Sequence, residues 1–180
     1  MSRHTPLERF TLRFPGLVRR ISRTVLRLRA SNPTLWQFRA AFLAGNEAFN
    51  RGDFVTAFAG LPSGCEWHSV AYATERVLVG PEQVCRFFEE EIFGTFPDWR
   101  SDPVHFLHAG DGIFVVLLIG RGTGGASRAP TRLELSEVWE LREGAPVRVR
   151  EFPSWDEALS ATGLDASIAA EIRTAGRPRI

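Results

Sequence analysis

The stretch TRLELSEVWELREG, residues 131–144, places its side chains with a period of two. One row carries Leu133, Leu135, Glu137, Trp139 and Leu141, and the other Arg132, Glu134, Ser136, Val138 and Glu140. Successive side chains of a strand point to opposite faces of a sheet, so this is an amphipathic strand with one carboxylate, Glu137, in its inward apolar row. A carboxylate leaves water only at a large cost unless it is hydrogen-bonded, paired or protonated, so its position demands either a compensation or a use.

Working outward, the same period runs from Asp102 onward. PVHFLHA, the turn Gly110 to Gly112 and IFVVLLIGRG form a hairpin, and the opening strand pairs on through LREG to PVRVREF, residues 146–152. SWDE, residues 154–157, is a capping box that starts a short helix ending near Gly163. Before the sheet the period is helical. Thr34 caps a helix with the stripe Leu35, Phe38, Phe42, Gly45 and Phe49, a short second helix follows Asp53, and CEWHSV from Cys65 is a first strand. A third helix, GPEQVCRFFEEEIFGTF, has Pro81 at its start, Val84, Phe87, Phe88 and Ile92 as its buried stripe, and Gly94 at its end. Helices followed by a run of antiparallel strands define an α+β fold.

At 180 residues and 44% hydrophobic content, with 14 Phe and 5 Trp, the chain is large and apolar enough for one packed domain. A formal charge of +1 conceals a division: residues 1–34 hold eight arginines against Glu8, a net +7, while the rest carries −6. The division into 1–33 as a basic extension, 34–164 as the domain and 165–180 as a tail, helical or not, follows from this and from the patterning. The extension places Leu17 or Val18, Ile21, Val25 and Leu28 on one helical stripe among arginines. An anionic membrane surface, a targeting segment and a solvated or disordered extension all remain open for it. The acidic domain is unsuited to nucleic acid. All 22 basic residues are Arg, the mark of a GC-rich genome. Cys65 and Cys85 show neither metal spacing nor the density of a disulfide scaffold, so a reducing cytoplasm is expected. The longest apolar run, residues 113–120, is too short for a membrane-spanning helix.

NEAFNRGDF, CEWHS, GPEQV, VWELREG and VREFPSWDEALSATGL, in this order and spacing, resemble the SnoaL-like branch of the nuclear transport factor 2-like superfamily over about residues 35–164. The resemblance implies a curved antiparallel sheet wrapped by three helices into a cone with an apolar pocket, and a homodimer formed through the outer side of the sheet. It also implies chemistry of the ketosteroid isomerase, polyketide cyclase or epoxide hydrolase kind, or binding without turnover. Of the three ketosteroid isomerase positions, the tyrosine falls on Gly45 and the base on Ser69. The second acid falls on Glu137, a carboxylate retained.

Glu137 is therefore the candidate catalytic residue: desolvation raises its pKa and lets it donate a hydrogen bond or transfer a proton. Trp67, Trp139 and Phe42 are candidate pocket walls, Ser69 a polar contact, Tyr72 a phenol at the rim, and Glu151 a carboxylate at the pocket mouth. Trp67 and Ser69 face inward in one register of the first strand; a slip of one residue would turn His68 inward instead as a rival base. His105 and His108 lie three apart on a strand and face opposite sides, so they make no two-histidine metal grip. No metal or cofactor is expected. The function expected is binding of a small, largely apolar metabolite by a cofactor-free isomerase, cyclase or hydrolase. The alternative is a non-catalytic ligand-binding or protein-interaction module with a basic arm.

Overall fold

Thr34 opens the first helix of the computed structural model, which describes residues 33–70 and 76–175. Its hydroxyl accepts from the Gln37 amide at 3.3 Å and the Gln37 side chain accepts from the Thr34 amide at 2.8 Å, a capping box that satisfies two donors helix geometry leaves free. Helix α1, Leu35–Phe49, is followed by α2, Phe54–Ala57, capped by Asp53. At the end of α1, Asn46 and Asn50 both donate to the Ser101 carbonyl at 2.9 Å, and Asn50 accepts from the Ser101 amide at 2.8 Å. These three bonds fasten the helix to the first residues of the long hairpin and so set its height over the sheet.

Strands β1, Glu66–Ser69, and β2, Arg76–Val79, come next; β2 was not anticipated from the sequence. The third helix is interrupted. It runs as α3, Gly80–Phe87, widens into a π-helical turn at Phe88–Ile92, and closes as α4, Phe93–Thr95. The Phe93 amide bonds the Phe88 carbonyl five residues back, and both rings then reach Phe49, with centroids 5.0 and 5.5 Å away. Packing of a single aromatic cluster thus overrides the regular helical period.

Strands β3, Arg100–Gly110, β4, Ile113–Thr123, β5, Pro130–Arg142, and β6, Ala145–Phe152, complete a curved, unclosed six-stranded sheet in the order β2-β1-β6-β5-β4-β3. The sheet is mixed rather than purely antiparallel, because β1 and β6 run parallel. The interrupted helix leads the chain to β3 at the far edge, and three successive reversals bring β6 back beside β1 pointing the same way. Neither strand's own residue pattern encodes that direction.

Both faces of β4 and β5 are covered. On the inner face, Phe114, Val116 and Leu118 of β4 pack with Phe38 of α1, while Trp67 and Val149 pack with Phe58, Val84 and Phe88. Gly120 lies under the Trp99 ring, which would meet an added Cβ at 2.5 Å. On the outer face, Val115, Leu117, Ile119 and Val138 are buried by Trp155, Ala158, Leu159 and Ala169 from helices α5, Trp155–Ala161, and α6, Ser167–Ala175. The Trp155 indole donates to the Leu118 carbonyl at 2.9 Å, and Arg173 of α6 pairs with Glu134 and Asp156 at 2.6 Å each. The outer apolar surface at Val115 and Val138 is therefore covered by the chain itself. The extension 1–33, apart from Pro33, lies outside the described residues, as does Tyr72. No described helix is long and apolar enough to cross a membrane.

Candidate functional site

Strand registry aligns five inward residues in one row across the sheet. Glu151 of β6 stands opposite Glu137 of β5, Glu137 opposite Val116 of β4, and Val116 opposite Phe106 of β3. The pairing of Trp67 with Val149 and of His68 with Arg150 continues the row to Ser69 on β1. In the adjacent inward row, Trp67, Val149, Trp139 and Phe114 follow one another. Side chains directly opposite on antiparallel strands have Cβ atoms about 5 Å apart, so the two carboxylates are immediate neighbours.

The tryptophans of one row serve the carboxylates of the next. Trp139 Nε1 donates to Glu137 Oε2 at 2.8 Å, and Trp67 Nε1 donates to Glu151 Oε1 at 3.1 Å. Glu151 Oε2 also accepts from the Ser69 hydroxyl at 2.5 Å and from the Val70 amide at 3.3 Å. Glu151 thus holds three donors and Glu137 one. Burial pushes the Glu137 carboxyl up to about 8, and the neighbouring charge of Glu151 adds to the rise against the Trp139 hydrogen bond. Burial also raises Glu151, opposed by the bonds from Ser69, Trp67 and Val70. The anion is better solvated on Glu151, which has three donors, and Glu137, with one, keeps its proton near neutral pH.

The indoles of Trp67 and Trp139 meet edge to face at 5.8 Å, and Trp139 is flanked by Phe38 at 5.9 Å and Phe42 at 6.0 Å. Trp67 and Ser69 are closed off, 2% and 1% exposed, whereas Trp139, Phe42, Phe106 and both glutamates retain part of their surface.

The structure brings together Glu137, Glu151, Trp67, Ser69, Trp139 and Phe42. Glu151 stands beside Glu137, because β6 pairs with β5 and β1 along both sides at this height. His68 is not brought in. It lies on the outer face, with Nε2 3.1 Å from Glu66 Oε2, because the burial of Trp67 and Ser69 settles the alternation of β1 in the unslipped register. The hydrogen bonds that divide the two glutamates could not be foreseen, since they join residues 82 and 84 positions apart. The alternation of Val147, Val149 and Glu151 was the one sequence signal pointing to the second acid.

Among the described residues no group of three or more His, Cys, Asp or Glu could hold a metal ion. His105 faces outward opposite Leu117, and His108 stacks on Phe114 at 4.7 Å. At the far end of the hairpin an open groove of about 730 Å³ is lined by Arg100, Arg121 and Arg132 among others and by neither glutamate.

The family model of the SnoaL-like domain matches residues 41–149. Solved structures share the fold. A nuclear transport factor 2-like protein of Burkholderia thailandensis is 16% identical, with a TM-score of 0.58, and the match covers 78% of this chain and 98% of that one. Another, of unknown function, from Burkholderia pseudomallei is 22% identical with a TM-score of 0.53, covering 64% and 89%. The epoxide hydrolase/cyclase-like enzyme SalBIII, with a role in pyran ring formation in the polyether salinomycin, is 18% identical with a TM-score of 0.54, covering 67% and 93%. Among curated proteins none matches the chain.

Proposed function

The chain belongs to the SnoaL-like domain family, and from that premise we propose that it binds a small, largely apolar metabolite on the inner face of its sheet and acts on it by proton transfer. Glu137 is the acid and Glu151 the base of a cofactor-free isomerase, cyclase or hydrolase. The observation that carries this reading is the pair itself: two adjacent inward carboxylates with one donor on the first and three on the second. Environments that push two titrating groups apart assign their roles. Both carboxylates keep part of their surface on this face, which supports reading it as the side a ligand reaches.

In such a site the protonated Glu137 donates to a carbonyl or epoxide oxygen as negative charge develops there. Glu151 takes a proton from the adjacent carbon or from water. Trp139 and Trp67 hold the two carboxylates in place, while Trp139 and Phe42 wall the apolar body of the ligand and keep water out. Fold likeness to the epoxide hydrolase/cyclase-like SalBIII agrees with this chemistry as an analogy of fold alone.

The test uses two probe classes, small apolar ketones followed by solvent-deuterium exchange at the carbon next to the carbonyl, and small apolar epoxides followed by hydrolysis. The wild type should turn over one class, and Glu137→Gln and Glu151→Gln should each lower the rate on the order of a hundredfold or more. Equal rates in the wild type and both variants would remove the acid–base assignment and favour binding without turnover.

A further inference from the structure

Several arginines of the described fold meet carboxylates: Arg51 pairs with Glu47, Arg76 with Glu91, Arg148 with Glu66, and Arg173 with Glu134 and Asp156. At the far end of the long hairpin the pattern reverses. Strand registry places Arg100 of β3 opposite Arg121 of β4, and Arg121 opposite Arg132 of β5. Like charges directly opposite on neighbouring strands weaken the pairing, and here three stand in one row. Arg121 has an acid of its own, Asp102. Among the described residues Arg100 and Arg132 make no ion pair.

The row lines a groove. Arg121 is two residues from Ile119, which belongs to the outer cluster, so the row lies on the outer face of the sheet, away from Glu137 and Glu151. Asp98, Asp102, Gly122, Thr123, Pro130 and Thr131 complete the lining of a space of about 730 Å³. Of the two acids, Asp102 is taken by Arg121, and Asp98 accepts from the Thr123 amide at 2.6 Å. Two guanidinium groups therefore border an open space of ligand size, since binding clefts run to about 300–1,000 Å³.

The chemistry of a suitable partner follows. A guanidinium presents paired N–H donors in one plane, which match the edge of a carboxylate or a phosphate. One carboxylate carries one charge and answers one arginine. A phosphate monoester carries about two charges on three terminal oxygens near neutral pH, and so answers both. Arg100 and Arg132 lie two strand spacings apart, about 10 Å, a gap that two long side chains close around one group. The groove is far larger than a phosphate ion and leaves room for an organic body. An anionic membrane is a poorer fit, because Asp98, Asp102 and Glu134 flank the row and would meet its headgroups.

We propose that this groove is a second ligand site, which binds the phosphate monoester group of a small soluble molecule between Arg100 and Arg132. It stands apart from the reading of the inner face. An anion there offsets the repulsion within the row, so its binding stabilises the fold.

The experiment titrates the full chain near pH 7.5 with phenyl phosphate and with benzenesulfonate, its singly charged analogue, by calorimetry, and repeats both on Arg100→Gln/Arg132→Gln. The wild type should bind phenyl phosphate at least tenfold tighter than the sulfonate, and the double variant should lose at least tenfold of that affinity. Because neither side chain has an ionic partner, the double variant should melt at or above the wild-type temperature in phosphate-free buffer. Saturating phenyl phosphate should raise the melting temperature of the wild type alone. Arg142→Gln, at the other end of β5 and outside the groove, should bind as the wild type does. Phenyl phosphate affinity that survives the double variant places binding elsewhere, the arginine-rich residues 1–33 included, and overturns the proposal. Equal binding of the sulfonate overturns it too. Vesicles of phosphatidylcholine with phosphatidic acid form the last arm. Vesicle binding that the double variant loses, without any affinity for phenyl phosphate, replaces the soluble ligand by a lipid headgroup. If the double variant does not fold, Arg132→Gln alone carries the same comparisons.

Discussion

At the scale of single residues, the burial of Glu137 ties stability to pH. Its carboxyl lies at about 8 in the folded chain against an ordinary value of 4.5, because burial and Glu151 both disfavour the charge. A folded pKa above the unfolded one means that the native state binds the proton more tightly, so the wild type loses stability as pH rises from about 4.5 to about 8 and is level beyond that. Each pKa unit of separation corresponds to about 1.4 kcal/mol, so the loss amounts to a few kcal/mol. Glu137→Gln removes this titration and the repulsion on Glu151. Urea melts should show the variant less dependent on pH than the wild type and more stable at pH 8.5. A variant destabilised at every pH would instead mark Glu137 as an ionised structural group. Glu151 explains the asymmetry, since Ser69, Trp67 and Val70 solvate its anion while Glu137 has Trp139 alone.

At the scale of elements, the two faces of β4 divide the labour. Phe114, Val116 and Leu118 build the inner face, and Val115, Leu117 and Ile119 the outer one, which is why the run is apolar throughout where β5 alternates. Helices α5 and α6 are stabilising covers with no side chain on the inner row. Leu159 of α5 is fully buried in the outer cluster. Leu159→Ala should therefore cost about 2–5 kcal/mol, through lost transfer energy and the cavity left behind. Probe binding on the inner face should be unchanged at temperatures where the variant stays folded. Thermal melts together with turnover of the ketone or epoxide probes check this, and a variant of unaltered stability would show that α5 is not packed as described.

At the scale of the whole molecule, the homodimer remains a proposal, and the part of the sheet's outer side left open for it lies away from α5 and α6. The outer side of β2, β1 and β6 offers one: Val77 and Val79 are 47% and 45% exposed there, next to the alternating charges of Glu66, Arg148, Glu140 and Arg150. A two-fold interface places the same patch on both subunits, so opposite charges within one patch can meet across the axis. Sedimentation at micromolar concentration should report about twice the 20.1 kDa chain mass, and Val77→Glu should return the monomer. A 20.1 kDa species in the wild type would discard the idea.

The sequence alone determined most of the elements, β2 and the π turn at Phe88 excepted, because side-chain period is a local property. The 3.6-residue stripe from Leu35 to Phe49, the alternation from Leu133 to Leu141 and the capping residues Thr34 and Ser154 all act within a few positions of themselves. It likewise directed Glu137 inward, since the apolar residues on either side of it must share its face. Tertiary structure alone decided what is adjacent across strands and helices. The parallel pairing of β1 with β6, the burial of the outer face by α5 and α6, the widened helical turn at Phe88 and the donors that distinguish Glu151 from Glu137 join residues far apart in the chain. Their energies exist only once the sheet has registered. A carboxylate's period says which way it points; the hydrogen bonds and the charge beside it, which set whether it holds a proton, come from other strands.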